Sequence, residues 1–318
     1  MRRITLLTNP DVCNLHCPLC FLNQRKGAER VNFGCESRIW GSRSFGEMSF
    51  ETARAAIEKY VAERDSSGKR ILREVIPSTM GEPLLYSHFD ELLELCESLG
   101  IPLNLTTNGT FPGKWGSDAG MAVLLHACSD VKISYLASEQ FDGWIANVEK
   151  LLKVRKSLVA RGTALGGDDE NAALGGDAAN SMLNAQSLGI ATVSLQVTLH
   201  KKNVNDVAEI VSWASSVGID RIKWNPVVFL SVAPQRLREM YALDDSLLES
   251  LRKELRTGAL SALNVKHEGS LFFNNGKDFC AVGGKCESCS FADEVWVWPD
   301  GHEDHCPNPE RRWSKVHT

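Results

Sequence analysis

Ile4-Thr5-Leu6-Leu7, a short apolar strand, runs within a few residues into Cys13-Asn14-Leu15-His16-Cys17-Pro18-Leu19-Cys20. A strand that empties into a CxxxCxxC loop places three thiols at one strand end. Three thiolates from one tight loop can hold three irons of a four-iron, four-sulfur cluster and leave the fourth iron open to a small molecule. A structural zinc site would call for four closed ligands. Three core or zinc-binding cysteines are the plainer alternative for the same pattern.

Outward from this loop the chain alternates strands and helices. Candidate strands are Ile4–Thr8, Ile71–Pro77, Leu103–Thr107, Val131–Tyr135, Thr192–Leu199 and Arg221–Pro226, each rich in apolar or β-branched residues. Helical stripes separate them. Phe50, Ala53, Ala56, Ile57, Tyr60 and Val61 follow Ser49, a candidate N-cap, with Glu51 in the first turn. Phe89, Leu92, Leu93 and Cys96 form a second stripe, and Met121, Leu124, Leu125 and Cys128 a third. Ile145, Val148, Leu151 and Leu152, then Val204, Val207, Ala208 and Val211, complete the series. Strands joined by crossover helices imply a parallel sheet whose site lies at the strands' C-terminal ends. Periodicity alone leaves a partial barrel and a doubly wound sheet both open.

Composition bounds the class. With 318 residues, 43% hydrophobic, the chain can build one large domain and a smaller one. No apolar run is long enough to cross a bilayer, and the opening residues enter a strand, so a cytoplasmic enzyme with no membrane partner is expected. The ten cysteines fall mainly into two metal-like groups, which fits reduced thiols better than a disulfide scaffold. A net charge of −5 argues against nucleic acid as a partner. Ala164-Leu-Gly-Gly-Asp recurs as Ala173-Leu-Gly-Gly-Asp in a stretch rich in Gly, Ala, Asp and Asn, read as a mobile insertion over 162–180.

Near the C-terminus stand Cys280, Cys286 and Cys289, then Cys306 beyond Glu294-Val-Trp-Val-Trp298 and Pro299-Asp300-Gly301. The alternating strand and the Pro-Asp-Gly turn predict a β-hairpin that returns Cys306 toward the other three. By spacing alone, four such sulfurs fit a zinc ribbon or an iron-sulfur cluster equally well.

The CxxxCxxC loop, together with Gly81-Glu82-Pro83 after the second strand, resembles the radical S-adenosylmethionine (SAM) superfamily. Leu19 stands where many members carry an aromatic residue, and Met80 where they carry a first glycine. The resemblance implies an α/β fold: a partial (β/α)6 TIM barrel over 1–230 with a small C-terminal auxiliary-cluster domain containing a β-hairpin over 231–318. Cys13, Cys17 and Cys20 would hold a [4Fe-4S] cluster whose open iron SAM chelates. Gly81, Glu82 and Pro83 would cradle the SAM amino group, with Thr107, Asn108, Ser134 and Gln196 as further SAM contacts. His200 and Asn225 are weaker candidates for SAM or substrate.

The C-terminal cysteines are similar to twitch or SPASM-like domains, which implies one auxiliary [4Fe-4S] cluster on Cys280, Cys286, Cys289 and Cys306. If Cys280 is not a ligand, it becomes a hydrogen-atom donor, as does Cys35; Cys96 and Cys128 read as core residues on helices. By resemblance, an external donor such as flavodoxin or ferredoxin supplies an electron, SAM yields a 5′-deoxyadenosyl radical, and a C–H bond of the substrate is broken. The expected substrate is a sugar, aminocyclitol or aminoglycoside, dehydrogenated or epimerised, because the chain reaches its cysteine motif too early for a leader-binding domain. A ribosomal-peptide maturase is the runner-up. A non-catalytic zinc or iron-sulfur electron-transfer module is the alternative of another class.

Overall fold

The computed structural model describes residues 2–21, 24, 45–77, 80–135, 143–165, 188–230, 233–272 and 294–304. In chain order its elements begin β1 (Arg2–Leu6), α1 (Phe50–Val61), β2 (Leu72–Pro77), α2 (Phe89–Ser98), β3 (Leu103–Thr107), α3 (Asp118–Ala127), β4 (Cys128–Tyr135) and α4 (Trp144–Leu165). They continue with β5 (Thr192–Leu199), α5 (Val207–Val217), β6 (Arg221–Pro226), α6 (Gln235–Tyr241), α7 (Asp245–Thr257), β7 (Lys266–Glu268), β8 (Glu294–Val297) and β9 (Glu303–Asp304). The chain divides into two compact units, 1–106 with 227–242 and 273–318, and 107–226 with 243–272.

In the first unit β1 pairs in parallel with β2 on one side and β8 on the other, and β2 pairs in parallel with β3. The predicted hairpin forms: β8 and β9 pair antiparallel, with Trp296 opposite Asp304 and Val297 opposite Glu303. Its attachment is additional, because Ile4 and Thr5 of β1 register with Val295 and Trp296 of β8. Leu7, Met80, Leu230, Trp296 and Trp298 form one apolar cluster, against which Phe21 and Phe45 pack. Helix α1 starts where predicted. The Ser49 hydroxyl accepts from Thr52 N, Glu51 lies in the first turn, and Ala53, Ala56, Ile57 and Tyr60 are buried.

In the second unit β4, β5, β6 and β7 pair in that order, all in parallel. Side chains alternate across a strand. Val193, Leu195, Val197 and Leu199 therefore fill the apolar core, while Thr192, Ser194, Gln196 and Thr198 share the opposite face. Three stripes differ from expectation. Cys128 is the first residue of β4, because α3 ends at Ala127. On α4 Trp144 takes the buried position and Ile145, one residue and about 100° further round the helix, is 54% exposed. In α5 it is Ile210 and Ala214, with Val207 and Val211, that point inward, and Ala208 is exposed. The α4 stripe ends on a buried ion pair, Arg155 with Asp220 at 2.9 Å. Asp220 Oδ2 also accepts from Val193 N at 2.7 Å.

The class is thus α/β and mostly parallel, as the strand and helix pattern predicts. Among the described residues no helix is long and apolar enough to cross a membrane.

Candidate functional site

The cysteine loop begins where β1 ends, and buried polar groups fix its base. Thr8 and Asn9 are fully buried, and Thr8 Oγ1 donates to Asn9 Oδ1 at 2.8 Å. Thr8 O accepts from Met48 N at 2.7 Å, and Asp11 Oδ2 accepts from Gly46 N at 3.2 Å and from Phe45 N. Further on, Val12 N donates to Asn9 O and Cys20 N to Cys17 O, each at 3.1 Å.

Cys13, Cys17 and Cys20 are each half-buried. Burial, then the neighbouring Cys20 and Cys13, push the Cys17 thiol up to about 12. Three thiols thus sit close enough to oppose one another's ionisation. Leu15 N points at Cys13 Sγ at 3.4 Å, a donor suited to a sulfur carrying negative charge. Soft sulfur donors from one loop fit an iron-sulfur cluster. Among the described residues no three His, Cys, Asp or Glu side chains form a metal-holding group.

The Gly81-Glu82-Pro83 turn is fastened to this loop. Glu82 N donates to Val12 O at 2.8 Å, and Asn9 Nδ2 donates to Glu82 O at 2.7 Å. Gly81 has φ +76°, and a Cβ there would stand 2.2 Å from Asn9 O and 2.7 Å from Val12 O. Only glycine permits that approach. The side chain of Glu82 is fully buried, and its Oε1 accepts from Leu84 N at 3.3 Å, capping the short helical turn Pro83–Leu85. Met80 turns its side chain into the cluster with Leu7, Leu230, Trp296 and Trp298, which accounts for a methionine before Gly81.

In the second unit, Thr107 Oγ1 accepts from Gly109 N at 3.2 Å, and Asn108 Oδ1 accepts from Thr110 N at 2.9 Å and Thr110 Oγ1 at 2.7 Å. Those side chains build the turn after β3. Gly109, φ +81°, lies against the Trp144 ring, and Asn147 Nδ2 donates to its carbonyl at 3.0 Å. Ser134 and Gln196 stand side by side, in register, and Gln196 registers with Lys223 on its other side. Both are half-buried.

Lower on the same face, Asp130 accepts from Thr192 Oγ1 at 2.9 Å and Ser194 Oγ at 2.6 Å and pairs with Lys223 at 3.3 Å. Arg221 faces Glu268 at 3.8 Å. The face thus carries Asp130, Lys132, Arg221, Lys223 and Glu268 beside the hydroxyl and amide groups of Ser134, Gln196 and Thr198. His200 is fully buried, and its Nδ1 accepts from Lys202 N at 3.2 Å. Asn225 Oδ1 accepts from Ser270 N at 3.1 Å and Ser270 Oγ at 3.0 Å. These two hold local turns. Cys35, Cys280, Cys286, Cys289, Cys306 and residues 166–180 of the insertion expected over 162–180 lie outside the described residues, while 162–165 belong to α4.

Sequence reading missed Asn9, which joins the two motifs, and Gln24, which is buried beneath the loop. The signal for Asn9 is faint, an amide before Pro10 at a strand end; a lone Gln offers none. A groove of about 650 Å³ between α3 and α4, lined by Asp118, Lys150, Lys153 and Arg161 among others, contains none of the residues discussed above.

The structure of Streptococcus suis SuiB bound to S-adenosylmethionine superposes with a TM-score of 0.54 at 14% identity, covering 96% of this chain and 60% of SuiB. Native anSMEcpe with bound AdoMet and Cp18Cys peptide gives 0.56 at 13% identity, covering 96% of this chain and 73% of that one. This chain shares the α/β fold of these two proteins. In sequence it is 28% identical over 243 residues to the 7,8-dihydro-6-hydroxymethylpterin dimethyltransferase of Methanocaldococcus jannaschii, a match that takes in 71% of this chain and 37% of that protein. No family model matches the sequence. In that fold, the junction of Cys loop and Gly81-Glu82-Pro83 turn falls at the ends of β1 and β2, the strand ends at which an α/β sheet carries its ligands.

Proposed function

We propose that this chain is a radical SAM enzyme in which Cys13, Cys17 and Cys20 hold a [4Fe-4S] cluster and the adjoining turn holds SAM. The observation that carries the reading is the direct fastening of Glu82 to Val12 and Asn9, which makes the cysteine loop and the Gly81-Glu82-Pro83 turn one structural piece. When bound, such a cluster supplies the electron that cleaves SAM to methionine and a 5′-deoxyadenosyl radical able to take hydrogen from a C–H bond.

The chain's own residues bind, orient and shield. The three thiols give up their protons on ligation, and the Leu15 N–H supports the charge that develops on Cys13. Gly81 lets the backbone approach closely, and Glu82 offers an anionic acceptor to the SAM ammonium. Thr107, Asn108, Ser134 and Gln196 serve as polar contacts for the remainder of SAM. Cys280, Cys286, Cys289 and Cys306 hold an auxiliary [4Fe-4S] cluster, with Cys35 as hydrogen donor if the substrate radical is quenched, or Cys280 in its place where the cluster is held by the other three alone, and a flavodoxin or ferredoxin in the cytoplasm as the electron source.

The substrate in this reading is a small polyhydroxylated molecule of sugar, aminocyclitol or aminoglycoside type, dehydrogenated or epimerised. Its support is that the pterin named for the M. jannaschii relative is likewise small. A peptide substrate is the second reading, favoured by the peptide bound to anSMEcpe. Reconstituted protein incubated with SAM, dithionite and panels of aminoglycoside and peptide substrates in deuterated water separates them. Deuterium in a sugar product of otherwise unchanged mass indicates epimerisation, and loss of two hydrogens indicates oxidation. Turnover of peptides alone replaces the small-molecule reading with the second.

A further inference from the structure

Gln24 sits one helical turn beyond the third cysteine, with its backbone N–H donating to Cys20 O at 2.9 Å. Its side chain is 1% exposed, and all of its amide's hydrogen-bonding groups are engaged with backbone. Nε2 donates to Leu19 O at 2.9 Å and to Val228 O at 3.2 Å, and Oε1 accepts from Leu230 N at 2.9 Å. Leu19 lies between two of the thiols. Val228 and Leu230 belong to a strap that follows β6, more than two hundred residues later, in the same compact unit.

The strap is anchored independently of Gln24. The Leu230 side chain is fully buried among Leu7, Met80, Trp296 and Trp298, and Arg238 donates to the Leu230 carbonyl. Met80 directly precedes Gly81, so the same apolar cluster carries the turn on which SAM is proposed to rest. A buried primary amide is expensive to leave without partners, so loop and strap are favoured in one relative pose.

We infer that Gln24 is a positioning residue: its amide latches the cysteine loop to the strap at 228–230, so that the pose of Cys17 and Cys20 and the order of the strap are set together. The inference rests on the cluster-binding reading above. Coupling of this kind is reciprocal, so closing the thiols around iron must tighten the strap.

Hydrogen exchange on the full chain, before and after anaerobic reconstitution with iron and sulfide, reads that coupling without any substitution. The peptide containing 228–230 is expected to exchange at least about fivefold more slowly after loading, the lower end of ordinary coupling between sites. Gln24→Met keeps the volume and removes all three bonds; Gln24→Glu keeps only the acceptor and sets a carboxylate against two carbonyls. Both are expected to lose iron relative to the parent and to give an altered cluster spectrum, with circular dichroism reporting a cooperative melt for Gln24→Met. Unchanged strap exchange in a loaded parent overturns the inference, as does a parent-like iron content and spectrum in folded Gln24→Met. If Gln24→Met does not fold, the parent's exchange decides. A parent that takes up no iron instead removes the cluster reading, and this inference with it.

Discussion

Gly81 is the residue on which the site's geometry is least forgiving. Its φ of +76° and the 2.2 Å from a notional Cβ to Asn9 O mean that any side chain must displace the backbone of the cysteine loop. Gly81→Ala is expected to cost at least about 2 kcal/mol in denaturant unfolding and to abolish SAM cleavage, whereas an alanine at Gly68, where a Cβ meets nothing within 4 Å, should retain cleavage despite its own backbone strain. Asn9 carries the complementary contact. Asn9→Ala leaves the buried Glu82 carbonyl without this donor and should destabilise by about 1–3 kcal/mol, read in the same titration. Neither role is legible from the residue alone. The CxxxCxxC pattern and Gly81-Glu82-Pro83 can each be picked out in the sequence, but that a lone amide joins them depends on two loops meeting in space.

At the level of elements, the strands that sequence patterning picks out are those the structure builds, because alternation and helical stripes report directly on which face is buried. Errors fall at helix ends, where Cys128 crosses from α3 into β4 and Ile145 yields to Trp144. The parallel docking of β8 on β1 was not legible: Glu294–Val297 reads as a buried strand, but pairing partners are tertiary information. That docking makes the hairpin part of the first unit's core. Trp298, 2% exposed and 5.0 Å from the Phe45 ring, should cost about 3–5 kcal/mol when cut to alanine, measured by chemical denaturation.

The β6–β7 edge carries a pH dependence. Trp224 Nε1 donates to His267 Nδ1 at 3.1 Å, and burial pulls the imidazole below its ordinary range, with the Leu260 carbonyl opposing. A depressed folded pKa means that His267 contributes stability in full above the ordinary histidine range, and that this contribution is lost as pH falls through it. The parent's melting temperature should therefore drop more between about pH 7.5 and 5 than that of His267→Asn, with equal drops contradicting the assignment.

For the whole molecule, the two units divide the work by chemistry. The first gathers soft sulfur, a glycine-permitted backbone crossing and an apolar cluster rich in tryptophan; the second presents a polar sheet face that carries the ion pairs of Asp130 with Lys223 and of Arg221 with Glu268. Under the proposed function, the first unit would generate the reactive species and the polar face of the second would offer hydrogen bonds to a bound molecule. The measurement that tests this account most directly is anaerobic reconstitution of the full chain with iron and sulfide, followed by iron counting and 5′-deoxyadenosine detection with SAM and dithionite, beside a Cys13→Ala, Cys17→Ala, Cys20→Ala variant. The account predicts roughly eight irons and 5′-deoxyadenosine from the parent, and about four irons with none of that product from the variant. Tightly bound zinc in the parent, with SAM left intact, would contradict it.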